Sequence, residues 1–156
     1  MIPQSILFVC LGNICRSPLA EGLARHIIRQ HNLTLRVDSA GTSGWHIDEP
    51  PCEGSRMVAK EHGFSIDDLK GRRISVYADD SFDLLIALDS HNYADLLKLG
   101  FDKKKVKKLG DFGLKGADVP DPYAYKDKAG FERVYEMIEL CVYNLLSTHY
   151  PVIESK

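Results

Sequence analysis

Cys10 and Arg16, joined by a short stretch containing Gly12 and Asn13 and followed by Ser17-Pro18, are the residues whose types and spacing carry chemistry. A thiol and a guanidinium on one tight loop suit the capture of a tetrahedral oxyanion. The planar fork of arginine holds two oxygens at once, a geometry lysine cannot reproduce. If the loop runs into a helix, unpaired backbone N–H groups and the helix dipole add positive potential at the same point. That field favours thiolate over thiol and makes Cys10 a nucleophile at neutral pH. Gly12 permits a turn of positive φ or a close approach to a ligand. Asn13 tolerates left-handed geometry, with its amide fixing the loop from inside. Ser17 can donate to the thiolate or cap the helix. Leu11, Ile14 and Cys15 complete the stretch whose backbone would line the anion site.

Such a loop needs a strand before it and a helix after it. Residues 6–9 read Ile-Leu-Phe-Val, a continuous apolar run suited to a parallel strand buried on both faces. Beyond the loop, Leu19, Leu23, Ile27 and Ile28 with Ala20 and Ala24 recur at helical spacing up to Asn32, and residues 33–39 alternate as a second strand. Strand, helix and strand make a right-handed parallel crossover, with Cys10 at the strand end where open α/β sheets bind ligands. Further along, the pattern predicts a helix over 52–62 closed by Gly63 and a buried strand over 82–88. A helix over 90–99 closed by Gly100, a short strand reaching Leu109 and an amphipathic helix over 131–147 follow.

The turn-rich segment 39–44 should lie beside the Cys10 loop, and Trp45 follows it. A loop tryptophan is either a wall for a flat aromatic group or packing under the loop. Residues 110–126 are rich in Gly, Pro and Asp and read as a long ordered loop of the functional kind. There, Pro122 biases Asp121 toward extended geometry, which can hold a carboxylate out over a site; Asp118 is its competitor.

Composition sets outer bounds. The 156 residues, 44% hydrophobic and 27% charged, suit one soluble domain spanning 1–156. A net charge of −2 gives no whole-protein case for nucleic acid or an anionic membrane, and the lysines at 103–105, 107 and 108 read as a solvated face. The N-terminal apolar run is too short for a signal peptide or a spanning helix, so a cytoplasmic location is expected. Four cysteines, at 10, 15, 52 and 141, have neither disulfide-framework density nor zinc spacing, so reduced thiols and no metal are expected.

The run Cys-Leu-Gly-Asn-Ile-Cys-Arg-Ser-Pro from Cys10 resembles the phosphate-binding loop of the low-molecular-weight protein tyrosine phosphatases. Ser39-Ala40-Gly41-Thr42, Trp45-His46, Glu49-Pro50-Pro51, Leu88-Asp89-Ser90-His91-Asn92 and Asp121-Pro122-Tyr123 resemble that family in its order and spacing, so the likeness covers nearly the whole chain. It implies one flavodoxin-like α/β domain with a four-stranded parallel sheet and helices on both faces. It also implies hydrolysis of phosphotyrosine, in proteins or small aryl phosphates, through a cysteinyl-phosphate on Cys10 and without metal or other cofactor. By the same resemblance Arg16 and the loop N–H groups bind phosphate, Asp121 rather than Asp118 is the general acid and base, and Ser39 braces Asn13. Trp45 and Tyr123 then wall an aromatic slot.

Departures from the family pattern are specific. Arg72 stands where the family shows a histidine that helps hold the loop asparagine, and Ala124 follows Tyr123 where a second aromatic is usual, with Tyr125 a substitute. Cys15 reads either as a small packing residue or, by resemblance, as the thiol that protects an oxidised Cys10 in a reversible disulfide. Cys52 and Cys141 read as structural. Three rivals remain. Arsenate reductase on the same fold needs a further cysteine pair near mid-chain, and none lies between Cys52 and Cys141. A binding module without turnover would be marked by loss of Cys10, Arg16 or Asp121, all present. A thiol-disulfide oxidoreductase lacks its Cys-x-x-Cys motif here.

Overall fold

The computed structural model describes residues 2–122 and 127–156. In chain order the elements are β1 (Ser5–Cys10), α1 (Arg16–Gln30), β2 (Arg36–Gly41), α2 (Glu53–Glu61), α3 (Val76–Asp79), β3 (Leu84–Ala87), α4 (Ser90–Leu99), β4 (Val106–Lys108) and α5 (Lys128–His149). Single 3-10 turns at Lys103–Lys105 and Leu109–Phe112 flank β4. The strands form one parallel sheet in the order β2-β1-β3-β4. This is the four-stranded α/β architecture expected from the sequence.

Every residue of β1 is buried because the strand feeds two cores at once. Ile6, Phe8 and Cys10 face a core shared with Leu19, Leu23 and Ile27 of α1, Val58 of α2 and Val134, Ile138 and Val142 of α5. Leu7 and Val9 face the other, with Leu85 and Ala87 of β3, Leu96 of α4, Phe82 and Phe101. Alternate residues thus point to opposite faces, and both faces are apolar, which is why the run carries no polar alternation. Covered on both sides and paired on both edges, β1 is the most constrained strand, and Cys10 is its last residue. Among the described residues no helix is long and apolar enough to cross a membrane.

Element boundaries moved where pairing or capping outvoted local pattern. The second strand starts at Arg36 rather than 33 and runs through Gly41, because β1 supplies partners from Ser5↔Arg36 to Cys10↔Gly41. The last helix begins at Lys128, ahead of its first apolar contact, because the Asp127 carboxylate accepts from the Gly130 N–H at 2.7 Å. The single-turn α3 is too short to show periodicity and was not foreseen. By contrast α4 keeps its predicted limits: Asp89 accepts from the Asn92 N–H at 2.8 Å, and Gly100 closes the helix at φ 101°.

Within α1, Gly22 lets Ile66 approach, for a Cβ added there would sit 2.2 Å from Ile66 Cγ2, and Ile66 is fully buried. Alanine is the better helix former by about 1 kcal/mol, whereas overpacking a core costs about 1–3 kcal/mol. Gly22→Ala is expected to lower the urea midpoint, with a net loss on the order of 1–2 kcal/mol. A raised midpoint would mean that Ile66 moves aside without cost.

Candidate active site

The loop between β1 and α1 has its carbonyls tied to the scaffold. Thr42 N–H donates to the carbonyl of Cys10 at 2.9 Å, and both the N–H and the hydroxyl of Ser43 donate to that of Leu11, at 3.0 and 2.9 Å. Cys52 N–H takes the carbonyl of Ile14 at 2.6 Å, and the Ser55 hydroxyl takes that of Cys15 at 3.0 Å. With its acceptors engaged from outside, the loop has its N–H groups to offer an anion. Helix α1 strengthens this, since its N-cap Cys15 makes no side-chain cap and its first turn holds no acidic residue.

Backbone conformation follows from the residue types. Asn13 has φ 56°, the left-handed geometry expected of it. Gly12 serves for close approach rather than positive φ, since an added Cβ would lie 3.1 Å from His46 Cδ2. Gly41, the last residue of β2, is needed more: its Cβ would come within 2.7 Å of the Leu11 carbonyl oxygen. The sequence places Gly41 in the turn-rich segment 39–44 and in the family motif, without this close approach.

A buried chain of polar side chains holds the thiol. Cys10 Sγ lies 3.0 Å from Ser17 Oγ and accepts from the Asn13 N–H at 3.3 Å. The Asn13 amide donates to Ser17 Oγ at 2.8 Å and to Ser39 Oγ at 2.9 Å, while its oxygen accepts from the Arg72 backbone N–H at 2.9 Å. Because Ser17 Oγ accepts from Asn13, its own proton is available to Cys10 Sγ; of its two predicted partners Ser17 meets this one. Ser39 in turn donates to Glu21 Oε1 at 2.6 Å. The Ser39 brace is therefore present. The Arg72 substitution leaves the brace intact because it is a backbone N–H that reaches Asn13. The Arg72 side chain turns to Asp79, bidentate at 3.0 and 3.1 Å, and to Asp38 at 3.2 Å.

Two carboxylates near the loop were given no part in the site by sequence reasoning. Arg16, 4% exposed, donates through Nη1 to Asp89 at 2.6 Å and to the carbonyl of Val119 at 3.0 Å. Asp89 thus caps α4 with one oxygen and anchors Arg16 with the other. The topology carried the clue, since Asp89 closely follows β3, the strand beside β1. Glu21, 2% exposed, sits on the buried face of α1 among Leu19, Ala20, Leu23 and Ala24. A charge inside that stripe was the available signal. Its Oε2 pairs with Arg25 at 2.5 Å but receives no well-angled hydrogen bond. Burial pushes its carboxyl from 4.5 to about 7, against the opposing pull of the Ser39 hydroxyl and the Arg25 charge.

Cys10, Leu11, Gly12, Ile14, Cys15 and Arg16 line a cavity of about 280 Å³ together with Trp45, His46 and Asp121. Trp45 is 72% exposed where it lines this cavity, so it does not pack beneath the loop. Asp118 is elsewhere: its carboxylate accepts from the Ser90 N–H and hydroxyl and pairs with Lys108 at 2.7 Å, a hydrogen bond that holds it below the usual carboxylate range. Tyr123, with Ala124 and Tyr125, lies outside the described residues. A larger cleft of about 490 Å³, beside Arg25, His26, Arg29, Asp67 and Asp68, has no cysteine in its lining, and Arg25 and Asp67 are paired with Glu21 and Lys60.

The cysteines correct the composition-based expectation of reduced thiols. Cys15 is bonded to Cys52, with Cα atoms 5.4 Å apart, and Cys10 and Cys141 are free. Cys15 is therefore partnered by Cys52, not by Cys10, and Cys52 is more than a packing residue. The two are 37 residues apart in sequence, and what joins them is the Cys52 N–H on the Ile14 carbonyl, which seats the start of α2 against the loop.

Residues 5–151 match the family model for low molecular weight phosphotyrosine protein phosphatase, and the chain belongs to that family. It is 40% identical over 150 residues to the low molecular weight protein-tyrosine-phosphatase YfkJ of Bacillus subtilis, covering 92% of this chain and 94% of that protein. The crystal structure of YfkJ superposes with a TM-score of 0.87 at 37% identity, covering 96% of each chain. A protein tyrosine phosphatase from Entamoeba histolytica, crystallised with Hepes in its active site, superposes with a TM-score of 0.86 at 36% identity, covering 96% of this chain and 99% of that one.

The Glu21 carboxyl titrates near 4.5 unfolded and about 7 folded, so the folded state holds the proton more tightly and stability falls as pH rises through that interval. Relative to Glu21→Gln, which cannot ionise, the natural protein is expected to lose up to about 3 kcal/mol between about pH 5 and about pH 8. Urea denaturation of both proteins at the two pH values measures it. A pH-independent difference would mean that Glu21 is ionised throughout.

Proposed function

We infer that the chain hydrolyses phosphotyrosine and related aryl phosphate monoesters through a cysteinyl-phosphate. The observation that carries this is that Cys10, Arg16 and Asp121 line one cavity. The Cys10 thiolate attacks phosphorus in line with the ester oxygen, and the loop N–H groups with Arg16 neutralise charge on the equatorial oxygens. Asp121 protonates the departing phenolate and then removes a proton from the water that cleaves the thiophosphate ester. Ser17 holds Cys10 as the leaving thiolate in that second step. Leu11, Ile14 and Trp45 offer apolar surface to an aromatic ring, which favours aryl over alkyl esters. Phosphotyrosine proteins are the substrate class, in keeping with the names of the relatives.

Cys10→Ser is expected to abolish turnover of an aryl phosphate while phosphate binding persists, and wild-type turnover should survive chelator. Residual hydrolysis in that variant would remove Cys10 from its role. Asp121→Ala should lose on the order of 10²–10⁴ in rate with a poor leaving group and much less with an activated aryl ester. Asp118→Ala serves as the comparator and should leave that ratio unchanged. Equal losses of Asp121→Ala on both esters would end the case for general acid catalysis.

A further inference from the structure

We propose that Cys10, Cys15 and Cys52 form a three-thiol relay that reduces hydrogen peroxide at the nucleophile, moves the oxidation to the Cys15–Cys52 pair and leaves Cys10 free. Three observations meet at this site. Cys10 and Cys15 line the same cavity, so a peroxide that reaches Cys10 forms its product beside Cys15. Cys15 is bonded to Cys52 in a structure where Cys10 is free and its contacts to Ser17 and Asn13 are intact. Cys52 is held at the loop by bonds that do not depend on the disulfide: its own N–H on Ile14, and the Ser55 hydroxyl on Cys15.

The chemistry balances in three steps. The Cys10 thiolate attacks one peroxide oxygen, forming Cys10–SOH and releasing hydroxide. The Cys15 thiol displaces that oxygen as water and forms a Cys10–Cys15 disulfide. The Cys52 thiolate then attacks Cys15 Sγ, forms the Cys15–Cys52 disulfide and expels Cys10 as thiolate. Peroxide has gained two electrons and the Cys15–Cys52 pair has lost them.

The direction of the last step follows from the site. Exchange favours departure of the better-stabilised thiolate, and Cys10 sulfur leaves into the Asn13 N–H, the Ser17 hydroxyl and the field of the loop. Cys52 occupies the N-cap of α2, where the helix terminus favours the attacking thiolate. Cys10 and Cys15 are buried and Cys52 is half-buried, so the oxidation ends on the thiol most open to an external dithiol reductant.

The test treats reduced wild type, Cys52→Ser, Cys15→Ser and Cys10→Ser with equimolar hydrogen peroxide, quenches with catalase, and maps disulfides and sulfinic acid by mass spectrometry after alkylation. Aryl phosphate hydrolysis is followed in parallel without added thiol. Wild type should finish as Cys15–Cys52 and recover most of its starting rate. Cys52→Ser, with unchanged activity before oxidation, should stop at Cys10–Cys15 and stay inactive until dithiothreitol is added. Cys15→Ser should accumulate sulfenic acid at Cys10, trapped with dimedone, and sulfinic acid once a second equivalent of peroxide is added. Equal recovery and equal disulfide maps for wild type and Cys52→Ser would overturn the relay, as would Cys15–Cys52 forming equally fast in Cys10→Ser. The disulfide map reads the relay even if no ester is hydrolysed, so failure of the phosphatase reading would be seen separately.

Discussion

Several amide N–H groups aimed at one point repel one another, and no such loop persists unless its carbonyls are better satisfied elsewhere. That constraint explains much of the structure around Cys10. The carbonyls of residues 10, 11, 14 and 15 accept from Thr42, Ser43, Cys52 and Ser55, which belong to the segment after β2 and to the start of α2. Those donors are in place because β2 pairs with β1 up to the level of Cys10 and because Gly41 leaves room for the Leu11 carbonyl. Four loop carbonyls that would oppose an anion are thus bonded away from it.

Charge is arranged in the same spirit. Arg16 is buried, and a buried guanidinium without a partner would be costly; Asp89 supplies one through Nη1, and the residue still lines the cavity. Glu21 is a buried acid on the same helix as Arg16, but the polar chain through Ser39 and Asn13 separates it from the sulfur. Burial raises its carboxyl to about 7, so below that pH it brings no second negative charge toward the sulfur. The two carboxylates thus differ in surroundings: Asp89 meets a cation within hydrogen-bond geometry, and Glu21 chiefly meets apolar side chains.

The third cysteine shows what the scaffold adds. Tying the Ile14 carbonyl required a donor from α2, and the residue that supplies it is Cys52. A thiol is thereby delivered to a loop that already holds two, at no cost in new backbone. The relay is a consequence of how the anion site is braced.

Much of this was legible in order along the chain. Cys10, Arg16, Asn13 and Ser17 lie within eight positions, and the strand and helix around them follow from an apolar run and a 3.6-residue repeat, so local chemistry and periodicity determined the loop, its candidate nucleophile and the α/β class. The choice of Asp121 over Asp118 rested on resemblance, and no local pattern foretold the ion pair that ties Asp118 to Lys108. What no local pattern contains is the distance between segments far apart in sequence. Asp89 meets Arg16 across 73 positions, Arg72 meets Asn13 across 59, and Cys52 meets Cys15 across 37. Residue type and spacing determined which groups could react. The parallel register of β1 with its neighbours decided which distant groups would hold them, because strand order, unlike periodicity, is settled by burial of the whole sheet.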